Sequence, residues 1–310
     1  MKIRLGYACI SETLKENYKT YTYTKYKEEQ DRKKLEKIII SNLLHLKELL
    51  IYNNKNNIHF YRITSNLIPL ATIKEVNINY TEPYKKYYQE LTKEIKKNAM
   101  RVDFHPSEYC VLNSTKQEVI NNSIEILKYH YKLLDNLKIE NKLLVLHIGS
   151  KEFGKKKSLT RFINTFYKLP KELQEVIAIE NDDKSYTIED CLYLSEKINI
   201  PIILDYHHHI CNSSKKSLEE LLPKILATWK ETPKMHFSSP KSKLKKEFRM
   251  HHDYIDRVEF LKFLKILKKE NKDIDIMIEA KKKDEALFRL VRELKYKTNI
   301  KFIDETSFMI

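Results

Sequence analysis

Ionisable side chains recur in this sequence at one kind of place, the end of a short apolar run. His105 ends RVDFH, His147 ends LLVLH, Glu180 ends VIAIE, Asp205 ends IPIILD, His236 sits in KMHF and Glu279 ends DIMIE. His207, His208 and His209 follow Asp205, and His251 and His252 come soon after His236. Tyr7 lies in the first such run, with Arg62 and Asn66 at and just after the second. Singly, each has a plain reading. A lone histidine there is more often a hydrogen-bonded structural group than a ligand, and an acid ending a strand can cap the next helix. Together they would bury many charges in one place, which is costly unless something compensates them. Divalent metal ions would. Imidazoles mixed with carboxylates suit Zn, Mn or Fe and disfavour Mg or Ca as sole occupants. The set suffices for two or three ions, with Glu180 central and able to bridge.

The elements that must position these residues alternate. Strands are expected near Ile3–Ile10, His59–Thr64, Arg101–His105, Leu143–Ile148, Val176–Glu180, Ile200–Tyr206, Lys234–Ser238 and Asp275–Ala280. Helical periodicity fills the gaps at Arg32–Tyr52, Tyr84–Asn98, Gln117–Leu137, Leu159–Leu169, Ile188–Lys197, Leu218–Trp229 and Asp256–Glu270, and an eighth helix spans Asp284–Lys297. Runs such as LLVLHIG and VIAIEN leave no solvent face, as expected of strands buried on both sides. Strand-then-helix units repeated this way predict an α/β fold, a single (β/α)8 TIM barrel over residues 1–310, in preference to a doubly wound sheet. No linker or low-complexity block divides the chain. In such a barrel every strand ends at the same mouth, and that mouth is the active site.

Lys+Arg 58 against Asp+Glu 43 leaves a net charge of +15. That favours a polyanionic partner, nucleic acid before an anionic membrane surface, although lysine-rich helix faces also serve simply as solvated surface. Clustered metals in a basic mouth point to phosphodiester chemistry, because paired ions can activate a water and stabilise the leaving oxygen. The segment KSKLKKEFRMHH, from Lys241 to His252, would add phosphate contacts. Gly 3 excludes GxGxxG and Walker A loops, and Cys9, Cys110, Cys191 and Cys211 have no CxxC spacing. No apolar run approaches a membrane span, and MKIRLGYACI lacks a signal-peptide core, so an intracellular, cytoplasmic protein is expected.

The segments RLGYACIS, FYRITSNLIPLA, RVDFHPSEYCVLNS, LHIGS, IENDD, LDYHHHICN, KMHFSSPKS, HHDYID and MIEAKKKDEAL, in this order, resemble the UV damage endonucleases over nearly the whole chain. The metal set resembles, more distantly, that of the endonuclease IV abasic-site nucleases. The resemblance implies a barrel that nicks double-stranded DNA immediately 5′ of UV photoproducts, leaving a 3′-hydroxyl. It also implies a three-metal cluster, commonly with manganese, zinc and magnesium being alternatives. Matched residue by residue, the ligands would be His105, His147, Glu180, Asp205, His208, His236, His251 and Glu279. The Asp205-x-x-His208 match selects His208 among its neighbours, and the position two before Asp253 selects His251.

Glu180, Lys234 and His236 are the catalytic candidates by the same resemblance, and Lys234 matches a lysine that can be carboxylated. Glu108 and Tyr109 match a pair that wedges into the duplex, although some relatives carry glutamine where this chain has Glu108. Tyr7, Arg62, Asn66 and Lys241 complete the expected DNA contacts, and the chain is expected to act as a monomer. Three other readings remain: an endonuclease IV-like abasic-site nuclease, a sugar isomerase-type metalloenzyme on the same barrel, and a DNA binder without catalysis.

Overall fold

The computed structural model describes residues 1–310. Eight short strands form its centre: β1 (Lys2–Ala8), β2 (Phe60–Ile63), β3 (Arg101–Phe104), β4 (Leu144–His147), β5 (Ile177–Glu180), β6 (Ile202–Asp205), β7 (Lys234–Phe237) and β8 (Ile274–Ile278). They pair in parallel in chain order, and β1 pairs with both β8 and β2, so the sheet closes into a barrel. The helices are α1 (Tyr23–Glu29), α2 (Arg32–Lys55), α3 (Lys85–Lys97), α4 (Gln117–Asn136), α5 (Lys155–Phe166), α6 (Lys171–Gln174), α7 (Ile188–Ile198), α8 (Tyr206–Cys211), α9 (Leu218–Ala227), α10 (Arg257–Lys268) and α11 (Lys283–Lys297). The expected TIM barrel is therefore the fold.

Helices lie against the strands through apolar stripes. In α3, Tyr88, Leu91 and Ile95 are buried at helical spacing while its lysines face outward. Several helices begin on side chains that satisfy their free N–H groups: Asp31 for α2, Ser217 for α9, Asp256 for α10, and a Thr187–Asp190 capping box for α7. Gly6 lets β1 approach β2, since a Cβ there would stand 2.1 Å from the carbonyl oxygen of Phe60.

Four features were not expected from the sequence. The short helices α1 and α6 lie in connections. Strand β6 stops at Asp205, where α8 begins at once, because Asp205 Oδ1 accepts the N–H of His208 and caps that helix. The C-terminal strands β9 (Lys301–Phe302) and β10 (Ser307–Met309) form a hairpin, and β10 runs antiparallel to the start of β1. No helix is long and apolar enough to cross a membrane.

Candidate metal centre

Strand register sets the site. His147 on β4 is the lateral partner of Glu180 on β5, and Asp205 on β6 is the partner of His236 on β7. These side chains therefore emerge at similar heights around the mouth. Alternation then governs which neighbours point inward with them. Asp103 and Lys234, each two positions before a site histidine, share its face and are buried below it.

Glu180 is 1% exposed and surrounded by imidazoles. Its Oε2 lies 2.9 Å from His105 Nε2 and 4.0 Å from His147 Nε2. Its Oε1 lies 2.9 Å from His236 Nδ1 and 3.4 Å from His208 Nδ1. Glu279 Oε1 is 3.2 Å from His236 Nδ1, and Asp205 Oδ2 is 3.8 Å from His208 Nδ1. Two triads, His105–His147–Glu180 and Glu180–Asp205–His236, each offer ligand atoms within 4.8 Å of one another. They share Glu180, so one carboxylate faces two potential ion positions.

The three consecutive histidines separate by geometry. His207 is buried and satisfied, with Nδ1 2.9 Å from Ser238 Oγ and Nε2 2.8 Å from the carbonyl of Phe248. His208 faces Glu180, and the ring nitrogen of His209 that is buried has no partner. The ring of His251 lies 6.3 Å from that of His208, tilted by 40°, whereas His252 is exposed and bonded to its own loop at Tyr254.

The electrostatics favour cations. Burial alone would raise the Glu180 carboxyl, but the charges of His236 and His147 and hydrogen bonds from His105 and His208 hold it well below the usual carboxylate range. Burial opposes the proton on His208, yet the carboxylates of Asp205 and Glu180 push it up to about 11. Asp205 Oδ2 is buried without a hydrogen-bond partner, a costly state that a bound cation would relieve. Mixed imidazole and carboxylate donors of this kind fit divalent transition metals.

Two expected DNA contacts are corrected. Tyr7 is wholly buried, its hydroxyl donating to Asn53 Oδ1 at 2.8 Å, so its side chain belongs to the core. Arg62 is buried as well. It donates to His236 Nε2 at 2.7 Å, pairs with Glu279 at 2.7 Å and approaches Asp103 at 3.8 Å. Its donors orient the histidine and the carboxylate instead of reaching a duplex. Lys234 is likewise closed to a phosphate at the surface. Its Nζ lies 2.7 Å from Asp103 Oδ2, with both groups fully buried, and burial brings the amine down to about 8 despite that carboxylate. Carboxylation of Lys234 would set two anions face to face.

Asp103 was not anticipated, although its place two residues before His105 was a readable signal for an inward side chain. Asn66, Glu108, Tyr109 and Lys241 are exposed, Tyr109 at 77%. Lys241 pairs with Glu247 at 3.0 Å.

The family profile described as UV-endonuclease UvdE matches residues 3–308. The UV DNA damage endonuclease of Bacillus cereus (strain B4264) is 41% identical over 313 residues, covering 98% of each chain. The crystal structure of SacUVDE superposes with a TM-score of 0.87 at 35% identity, covering 94% of this chain and 98% of its own. Endonuclease IV from Thermus thermophilus, at 12% identity and a TM-score of 0.59 over 94% of this chain and 97% of its own, shares the fold.

Proposed function

Because the chain belongs to the UV-endonuclease UvdE family, and is therefore a DNA repair endonuclease, we propose that it incises the strand immediately 5′ of pyrimidine dimers and 6-4 photoproducts and leaves a 3′-hydroxyl. Residues 1–310 act as one catalytic domain, as a monomer on double-stranded genomic DNA in the cytoplasm. The observation that carries this reading is the pair of ligand triads sharing Glu180 at a mouth bordered by the exposed Tyr109. His105, His147, Glu180, Asp205, His208, His236, His251 and Glu279 would hold three divalent ions, manganese before zinc or magnesium. Ions there would supply Lewis acidity, ease deprotonation of the attacking water and offset charge on the leaving oxygen.

The chain's own residues prepare that chemistry. Glu180 presents one oxygen to each triad. Arg62 holds His236 with Nδ1 turned toward Glu180 and Glu279. Lys234 and Asp103 supply a buried charge pair beneath, which keeps Arg62 in place from below. Asn66, Glu108, Tyr109 and Lys241, on exposed loops, meet the duplex.

The test is nicking of three plasmids, one irradiated, one untreated and one depurinated, by protein stripped of metal and then reloaded with manganese. Incision of irradiated plasmid only after reloading, with ends that a polymerase extends directly, supports the reading. Cleavage confined to depurinated plasmid would replace it with abasic-site repair, and binding without incision would leave only a DNA binder.

A further inference from the structure

Phe153 is an aromatic residue held in the open. It is 71% exposed and sits at φ +58°, in the left-handed region that disfavours side chains other than Gly, Asn and Asp. Elsewhere in the chain, Gln30 and Asn199 use that region to close helices α1 and α7. Phe153 closes none. It precedes Gly154, which is also at positive φ and starts α5.

The loop that carries Phe153 follows the site histidine His147 and is clamped. The carbonyl of Ser150 accepts hydrogen bonds from Asn113, Ser158 and Tyr186, and the Gly154 N–H donates to the carbonyl of Lys151. Arg161 donates to the carbonyls of both Glu152 and Asn113, and Thr115 donates to the Glu152 carboxylate. Asn113 and Thr115 belong to the neighbouring mouth loop, the one bearing Tyr109. One hydrogen-bonded frame therefore fixes two loops and points an unsupported aromatic ring out of each. Strain, rigidity and exposure coincide at Phe153, where packing would reward none of them. The exposed Lys151, Lys156 and Lys157 beside it suit a polyanion.

From this we infer that Phe153 is a second lesion-reading residue, which stacks on a nucleobase displaced by the damage. The inference rests on the endonuclease reading above. A dimer couples two adjacent pyrimidines, so its distortion loosens more than one base from the stack, and one ring fills only one gap. In an intact duplex the bases are already stacked, and Phe153 meets nothing that an uncharged ring can hold. Its contribution belongs to damaged DNA alone.

The test uses the metal-loaded full chain and a duplex with one thymine dimer and a non-cleavable linkage 5′ of it, against the same duplex undamaged. Phe153→Ala should raise Kd for the dimer duplex by about 5- to 150-fold, the range of one lost stack. Phe153→Tyr should stay within about threefold of the parent. Affinity for the undamaged duplex, metal content and Tm should hold, and Phe153→Gly, which tolerates positive φ, should also hold Tm while losing dimer binding. A 2-aminopurine opposite the lesion should brighten in the Phe153→Ala complex. If the parent prefers the dimer duplex and Phe153→Ala prefers it to the same degree, Phe153 reads nothing and the inference falls alone. Equal losses on both duplexes, or a lowered Tm with lost metal, overturn it in favour of general contact or loop support. A parent with no preference for the dimer overturns the functional reading and this inference with it.

Discussion

Glu180 shows how much a single buried anion can organise. Four imidazoles converge on its two oxygens, within 2.9–4.0 Å. Glu180→Gln keeps the shape and removes the charge that two cation positions would share. Incision should fall well beyond the roughly 10–100-fold typical of changes outside the ligand sphere, with metal content reduced and the far-ultraviolet circular dichroism unchanged. Full turnover by a fully metallated variant would end the bridging role. Tyr109 makes the contrasting case. At 77% exposure it packs in no core. Tyr109→Ala should therefore alter stability by less than about 0.5 kcal/mol. It should weaken binding to irradiated DNA by roughly 1–3 kcal/mol, leaving undamaged DNA nearly unaffected. Equal loss on both DNAs, measured by anisotropy, would indicate backbone contact instead of a wedge.

At the scale of elements, most of the candidate ligands stand at strand ends, where register sets side-chain height, while His208 lies in α8 and His251 in a loop. His147 opposite Glu180 and Asp205 opposite His236 are barrel geometry before they are chemistry. The turn from β6 into α8 uses Asp205 twice, its Oδ1 as helix cap and its unpartnered Oδ2 toward the site. That is why the Asp205-x-x-His208 spacing works: a capped first turn brings residue three onto the cap's side. The barrel closes where Gly6 permits it. A methyl group at Gly6 would stand 2.1 Å from backbone of β2, which cannot yield as a side chain does. Gly6→Ala should cost about 3 kcal/mol or more, read as an earlier urea midpoint, together with loss of metal binding because β1 and β2 flank the mouth. A midpoint equal to the parent's would mean that the strands can separate freely there.

For the whole molecule, charge and shape act together. A surplus of 15 positive charges gathers polyanions without sequence preference. The exposed run Lys243, Lys245 and Lys246 extends from the segment after His236, although Lys241 is partly spent on Glu247. Each phosphate neutralised adds roughly −0.9 to the slope of log K against log salt on duplex DNA. Binding of undamaged duplex should therefore show a slope steeper than about −3. A flat response would make the lysines mere surface.

The amino-acid sequence by itself determined the barrel and most of its mouth. Fully buried strands have to be apolar along their length, so a His, Glu or Asp at the end of such a run stands out, and the order of the runs is the order of the barrel. What it could not determine was the direction of neighbours whose types are alike. His207 and His208 are identical in chemistry, and only the helical turn after Asp205 sends one to Ser238 and the other to Glu180. Tyr7 and Arg62 lie at the mouth by position, yet packing took the first into the core and ion pairs took the second away from solvent. The Lys234–Asp103 pair joins residues 131 apart in sequence, so no local pattern announces it. Phe153 carries no signal either. Exposure and backbone angle are properties of the folded loop, set by hydrogen bonds from Asn113, Arg161 and Tyr186, which only the closed barrel brings together.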